Sequence, residues 1–277
     1  MPVSKILNPK NDFAFKKLFG TSANAGLTLE LLNHALDWHL ESPIVSLQFP
    51  SPQQLPRSHG GKDSHLDVLC VDAQGQHYIV EMQVAQDEAF RKRAQYYAAK
   101  TFFGQLREGE PYSKLSRVIL LAFTDFLLFP GETSYKSDHL ILDGRTHANK
   151  LPDIRFTFID LTLFKEHIQG KPIAALSKEE KLYLFLKEAE QLGPEALANL
   201  VANDPIMERL QQQVTQYYWS PQELALYDSA EKRHRDQISL VTQAEARGLR
   251  QGMQEGIDLL AKKGLTSKQA ALEGLKP

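Results

Sequence analysis

The chain has 277 residues, 42% of them hydrophobic and 24% charged, which is the composition of an ordinary folded globular protein with one large domain or two. Its formal net charge of −2 excludes a broadly basic surface, so any nucleic-acid site must be basic only locally. The single cysteine, Cys70, excludes an intramolecular disulfide framework, and no apolar run reaches the roughly 20 residues that a membrane helix needs.

The first part of the chain predicts two short helices. Polar residues at 8–12 are typical of a turn that leads into a helix, and the apolar residues at 13–19 follow a helical period that ends at Gly20. An apolar stripe over residues 24–40 predicts a second helix. We expect these two helices to cover one side of a sheet.

The start of the chain does not resemble a signal peptide. It is interrupted by three charged residues, Lys5, Lys10 and Asp12. Because a membrane-length apolar run is also missing, the sequence predicts an intracellular, cytoplasmic protein that makes no membrane contact.

A short strand and a basic loop come next. Prolines bracket residues 44–49, which predict one strand, and the loop that follows is rich in His, Gly and Lys. Two interpretations of this loop stay open: a local basic approach to Asp67, or a plain solvated loop. The basic residues concerned are Arg57, His59, Lys62 and His65.

The next segment predicts a β-hairpin around which the rest of the chain is organised. Its strands span residues 66–71 and 76–84, with a turn at 72–75. Cys70 lies inside the first strand, where we expect it to be a small buried hydrophobic residue. In the second strand the period of two separates two faces, one with His77, Ile79, Glu81 and Gln83, the other with Tyr78, Val80, Met82 and Val84.

The hairpin also carries the candidate chemistry. A short hairpin brings the carboxylate of Asp67 beside that of Glu81, and Gln83 points the same way as Glu81. The backbone carbonyl of Met82 lies between Glu81 and Gln83. Together these groups would make an oxygen-rich site that suits a hard divalent cation.

After the hairpin the pattern alternates between helix and strand. A helix is predicted over residues 88–109, capped by Gln86 or Asp87. Residues 118–123 form a continuous apolar run that is typical of a strand buried on both faces. Further strands are predicted at residues 139–142 and 155–161.

From residue 177 onward the pattern is wholly helical. Ser177 and Glu180 are spaced as a capping box at the start of a helix. The region is then divided into short helices by three prolines, Pro194, Pro205 and Pro221.

The last fifty residues or so differ in composition from the rest. Gly248, Gly252 and Gly256 recur every fourth residue and would share one face of a helix. Each glycine costs about 1 kcal/mol relative to alanine, so the pattern favours a helix that firms up only against a partner, and we expect a homodimer. A second capping box at 266–269 predicts a helical hairpin, which we favour over half of a DNA-binding helix-turn-helix.

Several blocks of the chain, taken in order, resemble a known family. Asp67 followed by Glu81-x-Gln83 is similar to the catalytic signature of the PD-(D/E)XK nuclease superfamily. More specifically, the chain resembles the Rpn family of recombination-promoting nucleases, also described as PD-(D/E)XK transposases. The matching blocks are NPKNDFAFKKLFG, LDVLCVDAQGQHYIVEMQV, EAFRKRAQYYAAKTFFGQLREGEPYSKL, RVILLAF and the glycine-spaced tail.

This resemblance implies a fold and a division into domains. The fold is α/β, with a PD-(D/E)XK restriction-endonuclease-like core of order αβββαβ, in which a mixed sheet is flanked by helices, and a helical carboxy-terminal region. We expect the nuclease-like core at residues 1–175, a helical extension at 176–227 and the glycine-spaced helical tail at 228–277.

The resemblance also implies a Mg²⁺-dependent DNA endonuclease that promotes recombination or acts on mobile or invading DNA. Its catalytic residues would be Asp67, Glu81 and Gln83, and its metal ligands Asp67, Glu81 and the Met82 carbonyl, with Mn²⁺ or Ca²⁺ as other suitable cations. The superfamily pattern usually has Lys where this chain has Gln83. A neutral amide orients a water by hydrogen bonding but cannot lower its pKa by charge.

Four further residues match accessory positions of the family. Asp12 would add an outer ligand or cap a helix. Arg93, Gln95 and Tyr97 match a polar cluster that faces the site, where Arg93 would contact phosphate or pair with a carboxylate.

A second reading keeps the fold without the activity. The chain would then be a non-catalytic nuclease-fold protein that serves as a DNA-binding or partner-binding module, which Gln83 and the near-neutral charge both favour. Other chemistries have no support, because the sequence contains no phosphate-binding GxxxxGK[ST] loop, no HExxH, no paired CxxC and no GxSxG.

Overall fold

The computed structural model describes residues 5–37, 40, 42–50 and 66–262, with side chains as far as Leu259. The chain divides into two units, residues 1–230 and 231–277, and each is described by itself. Two predicted features lie outside the described residues, namely the capping box at 266–269 and the basic loop residues Arg57, His59, Lys62 and His65.

The described strands form one mixed sheet. In chain order they are β1 (Leu47–Gln48), β2 (Val68–Asp72), β3 (His77–Gln83), β4 (Val118–Thr124), β5 (Lys136–Leu140) and β6 (Ile154–Asp160). Their order across the sheet is β1-β2-β3-β4-β6-β5. β4 is parallel to both β3 and β6, whereas β1–β2, β2–β3 and β5–β6 are antiparallel pairs. The predicted α/β class with a mixed sheet flanked by helices is confirmed.

Helices make up the rest of the regular structure. They are α1 (Asp12–Phe19), α2 (Ala25–Ala35), α3 (Phe90–Phe103), α4 (Leu161–His167), α5 (Lys178–Glu188), α6 (Pro194–Val201), α7 (Pro205–Val214) and α8 (Pro221–Lys262). The three predicted prolines are the first residues of α6, α7 and α8, because a proline there lacks only an N–H that the helix does not use.

The sheet is buried on both faces, which explains the continuous apolar run of β4. On one face Tyr78 and Val80 of β3 pack into a core shared with residues of α1, α2 and α5. On the other face Ile79 packs with Ala94 and Ala98 of α3. The alternation predicted for the second hairpin strand is therefore confirmed, and Cys70 is buried as expected.

A tight turn sets the register of the hairpin. The carboxylate of Asp72 accepts hydrogen bonds from the backbone N–H groups of Gln74 and Gln76, both at 2.9 Å. Gly75 has φ +83°, a left-handed conformation that glycine adopts without strain. The hydroxyl of Tyr78 donates to the other oxygen of Asp72 at 2.9 Å. This closed turn leaves four residues, 73–76, between β2 and β3.

Three elements are shorter than the sequence predicts. The strand expected at 44–49 is reduced to Leu47–Gln48, which pairs only with the end of β2. The second helix ends at Ala35, because the side-chain amide of Asn33 bonds both the N–H (2.8 Å) and the C=O (3.0 Å) of Ile44, so the chain folds back along α2. The helix expected at 88–109 spans Phe90–Phe103.

α5 to α7 belong to the first unit, and they share their core with the sheet. The predicted capping box of α5 is present: the Ser177 hydroxyl accepts from the Glu180 N–H at 3.1 Å, and the Glu180 carboxylate accepts from the Ser177 N–H at 2.8 Å. Phe185 and Leu210 join Phe15 and Leu31 in the same buried cluster. These helices therefore stabilise the sheet side that carries α1.

α8 is a long helix whose distal part is exposed. It continues through Gly248, Gly252 and Gly256, and a Cβ added at any of the three would meet no atom within 4 Å. All described side chains from Arg235 to Leu259 are exposed. In the part of the chain that the structure describes, no helix has both the length and the apolar character required to span a membrane.

Candidate functional site

The hairpin brings the two predicted carboxylates together. β2 begins at Val68, which pairs with Val80, so Asp67 lies one step beyond the strand, opposite Glu81. The Asp67 N–H donates to Glu81 Oε1 at 3.1 Å, and the Met82 N–H donates to Asp67 Oδ2 at 2.9 Å. Each carboxylate is thus oriented by backbone from the facing strand, and both lie on one side of the sheet.

Burial makes negative charge on this pair costly. Glu81 is 2% exposed, and the side chain of Asp67 is 12% exposed. Burial raises the pKa of Asp67 to about 6, although the Lys16 ammonium opposes the shift. Burial, followed by the charge of Asp67, raises the pKa of Glu81 well above its ordinary value. A cation between the two carboxylates would remove this cost.

α1 places a lysine beside the pair. The Lys16 ammonium lies 2.6 Å from Asp12 Oδ1 and 3.3 Å from Asp67 Oδ1. Burial lowers the pKa of Lys16, but the charges of Asp67 and Asp12 outweigh burial and raise it overall. Asp12 does not cap α1, because the cap is the Asn11 side chain, which accepts from the N–H groups of the next turn. Asp12 instead holds Lys16.

Lys16 is the site residue that sequence reasoning missed. It lies inside the block NPKNDFAFKKLFG, four residues after Asp12, and this spacing places an acid and a base on one helix face. That signal identifies an ion pair on α1. It does not show that Lys16 also reaches Asp67, which depends on how α1 packs against the sheet.

α3 reaches the site from the other side through Arg93. Its guanidinium donates to Gln83 Oε1 at 2.6 Å, and Gln83 Nε2 donates to Glu81 Oε2 at 3.2 Å. Arg93 also pairs with Asp87 at 2.5 Å. Gln83 therefore links the arginine to the buried carboxylate.

The other two residues predicted on α3 differ in position. Burial, followed by the negative charge of Glu81, raises the pKa of the Tyr97 hydroxyl, so this ring lies within electrostatic range of the pair. Gln95 is exposed, and its amide donates to the Arg91 carbonyl one turn earlier at 3.1 Å. The structure does not bring Gln95 to the cluster.

The donor set fits a divalent cation that keeps several waters. Among the described residues, no three or more His, Cys, Asp and Glu side chains converge on one point, so protein carboxylates supply only part of a coordination shell. The Met82 N–H points toward Asp67. Since the N–H and C=O of one strand residue point to the same edge, the Met82 carbonyl faces that edge as well. Asp67, Glu81 and this carbonyl are the groups that would hold the ion.

A second charged cluster adjoins the end of β3. The Asp125 N–H donates to the Gln83 carbonyl at 2.8 Å, and its carboxylate pairs with Lys10 at 2.8 Å and Lys187 at 2.5 Å. The side chains of Lys10 and Lys187 are 8% and 18% exposed. Two ammonium groups share one carboxylate, so this cluster carries one surplus positive charge.

The comparisons with known proteins agree with the fold. A family model described as PD-(D/E)XK nuclease family transposase matches residues 9–244. The matched range contains every residue of the cluster around Asp67 and Glu81. No curated protein and no solved structure matches the chain.

Proposed function

Because the chain belongs to the PD-(D/E)XK nuclease family transposases, we propose that it is a metal-dependent DNA endonuclease with Asp67 and Glu81 at its centre. One observation carries the proposal: the two carboxylates are buried side by side, and each accepts a backbone hydrogen bond from the opposite hairpin strand. Paired buried carboxylates with raised pKa values are a common feature of functional sites.

Three groups would hold the cation, namely Asp67, Glu81 and the Met82 carbonyl. All three offer oxygen, which Mg²⁺, Mn²⁺ and Ca²⁺ prefer. When bound, such a cation neutralises phosphoryl charge and makes water a better nucleophile at neutral pH.

The reaction would be the hydrolysis of one phosphodiester bond. A water would give up one proton as its oxygen forms a bond to phosphorus, the bond from phosphorus to one bridging oxygen would break, and the leaving oxygen would take up a proton, so that one water is consumed. Glu81 would be kept in position by Gln83 and by the Asp67 N–H, and Gln83 in turn by Arg93. This chain of hydrogen bonds would restrict the position and orientation of the Glu81 carboxylate, as catalysis requires.

Local positive charge near the site supports DNA as the substrate. Arg91 and Lys92 are exposed on the first turn of α3, next to Arg93. The cluster of Lys10, Lys187 and Asp125, with its surplus positive charge, adjoins the end of β3. Cleavage there would supply the strand breaks that promote recombination or act on mobile or invading DNA. A homodimer would provide two sites for cutting both strands.

A second candidate function is a DNA-binding or partner-binding module without catalysis. It is favoured by Gln83, whose two amide ends are engaged with Glu81 and Arg93, and which supplies no charge of its own. Binding without catalysis would give a salt-dependent DNA affinity that does not change when divalent cations are removed.

Nicking of supercoiled plasmid by the purified chain tests the choice between the two. We expect nicking with Mg²⁺ and its loss in Asp67→Asn and Glu81→Gln, which keep shape but remove charge. Glu195→Gln, an exposed carboxylate on α6, is the matched control and should cut at the wild-type rate. Equal cutting by the wild type and both site variants would exclude the assignment. No cutting, with DNA binding unaffected by EDTA, would favour the binding module.

A further inference from the structure

The site carries one feature that its sequence signature does not explain. The third position of the signature is neutral Gln83, and its amide is taken up by Glu81 and Arg93. The positive charge nearest to the free side of Asp67 comes from a different element. It is Lys16 of α1, with its ammonium 3.3 Å from Asp67 Oδ1.

Lys16 is held firmly but remains accessible. Its ammonium lies between the carboxylates of Asp12 (2.6 Å) and Asp67 (3.3 Å), and its side chain is 35% exposed. An ammonium has three N–H groups, so one is left for a further acceptor after these two contacts. A phosphate that entered the site from solvent would meet this group beside the carboxylate pair.

We propose that Lys16 is the catalytic lysine of this chain, supplied by α1 instead of by β3, and that it donates to a nonbridging oxygen of the scissile phosphate. This inference rests on the proposed nuclease function. The lysine contributes a fixed positive charge where negative charge grows on the phosphoryl group, and it transfers no proton. Asp12 serves as its positioning residue.

The adjacent lysine provides a matched control. Lys17 follows Lys16 on α1 but points elsewhere: it pairs with Glu223 at 2.6 Å and lies 4.2 Å from the centre of the Trp219 ring. Substitution of either lysine by methionine keeps the aliphatic length and removes one charge. The two variants therefore separate a local role at the site from a general loss of positive charge on α1.

The first experiment measures single-turnover plasmid nicking with Mg²⁺. We expect Lys16→Met to be slower by about 10²- to 10³-fold, the usual loss when one preorganised donor is removed, and Lys17→Met to stay within about threefold of wild type. Lys16→Arg should retain part of the rate. Lys16→Met that cuts as fast as wild type while Asp67→Asn is inactive would overturn the role of Lys16 and leave the nuclease assignment intact.

The second experiment tests whether a lysine on β3 can replace Lys16. In the double variant Lys16→Met, Gln83→Lys, we expect an ammonium next to Glu81, the other carboxylate of the pair, and at least tenfold recovery over Lys16→Met. A double variant no faster than Lys16→Met would overturn the proposal that Lys16 does the work of a lysine at position 83. Circular dichroism and melting temperature would identify a variant that had lost its fold. If Lys16→Met does not fold, the nicking rate of Lys16→Arg is compared with that of wild type instead.

A third measurement does not depend on cleavage. Because the Lys16 charge lies beside an expected cation ligand, its removal should tighten Ca²⁺ binding by about tenfold in calorimetric titration, with no change in Lys17→Met. An unchanged Ca²⁺ affinity in Lys16→Met would mean that Lys16 is not part of the site. A wild type that fails to cut would count against the nuclease function, and this comparison would still decide the position of Lys16.

Discussion

At the scale of single residues, the buried carboxylate pair of the site lowers the stability of the folded protein. Burial raises the pKa of both Asp67 and Glu81, so at a pH between the unfolded and the folded pKa of each group the folded protein holds a proton that the unfolded chain has released. The stabilising contribution of such a group is present below its unfolded pKa and is lost as the pH rises through its folded pKa. Lys16 and Arg93 offset only part of this loss.

Glu81→Gln should therefore stabilise the protein against unfolding when a chelator is present. At pH 8 Glu81 is ionised in the unfolded chain, whereas burial disfavours its charged form in the folded protein. The substitution removes this cost, and we expect a melting temperature higher by about 2 to 4 °C. Near pH 4 Glu81 is largely protonated in both states, so the difference should nearly vanish. Differential scanning calorimetry at the two pH values measures both quantities. A variant less stable than wild type at pH 8 would contradict the proposed cost.

Sequence reasoning predicted this centre in part, because the carboxylates and the lysine depend on different information. Glu81 and Gln83 share a face through the period of two, and the short turn brings Asp67 opposite Glu81, so strand rules are sufficient. Lys16 reaches Asp67 only through the packing of α1 on the sheet. The partner of Arg93 was left open between phosphate and a carboxylate, and the structure places Asp87 there.

At the scale of elements, capping residues fix where α5 begins. The Lys171 ammonium, helped by the Ser177 N–H, lowers the pKa of Glu180 to about 2 in spite of its partial burial. A carboxylate with a depressed pKa stabilises the fold above its unfolded pKa, and this contribution is lost as the pH falls toward the folded pKa. The start of α5 should consequently weaken in acid.

Glu180→Gln tests this expectation, since the amide keeps the capping hydrogen bond and loses the charge. We expect a loss of about 1 kcal/mol in the free energy of unfolding at pH 7, and a smaller loss as the pH is lowered from about 5 to 3. Ser177→Ala, which removes the hydroxyl of the same cap, should cost about 1 kcal/mol at both pH values. Urea denaturation measures both. A pH-independent effect of Glu180→Gln would exclude a role for its charge.

Element types were predicted better than their ends. Proline and capping signals identified the starts of α5 to α8, because these residues act locally on the backbone. The early end of α2 depends on the bonds between Asn33 and Ile44, which join residues eleven positions apart and leave no mark on helical periodicity. β1 is only two residues long, and both pair with the end of β2.

At the scale of the whole molecule, the described part of the second unit, residues 231–262, is built differently from the described part of the first. Its described helix exposes apolar side chains, among them Ile238, Val241, Leu249, Met253, Ile257 and Leu259. Val241 and Leu259 share the helical face of Gly248 and Gly252, as a period of 3.6 requires. Small and apolar residues on one face would let a second helix approach closely, which supports the proposed homodimer.

Gly252→Arg should convert the full chain to monomer, because the bulky side chain blocks that face while arginine favours the helix more than glycine does. Gln243→Arg places the same side chain on the opposite side of α8 and should leave the dimer intact. Light scattering after size-exclusion chromatography gives both masses. A full chain that is already monomeric at micromolar concentration, or a Gly252→Arg variant of unchanged mass, would rule out this face as the contact.

A chain that ends at Ala230 addresses the same question from the other direction. The first unit contains the sheet, the cores on both faces of the sheet and the carboxylate pair, so we expect it to fold without the tail and to be monomeric. It should nick plasmid but make fewer double-strand cuts than the full chain. An insoluble product would show that residues after 230 are needed for folding.

The closed turn at residues 73–76 has a consequence for how such a protein can change over time. Gain or loss of one residue at this tip would slide β2 against β3 and rotate Asp67 to the far face, away from Glu81. Asp67 and Glu81 would both still be present in the sequence, but their carboxylates would no longer lie side by side and the activity would be lost. An insertion or deletion in the turn, at the far end of the hairpin from the site, could therefore inactivate a homologue of this chain without any substitution of Asp67 or Glu81.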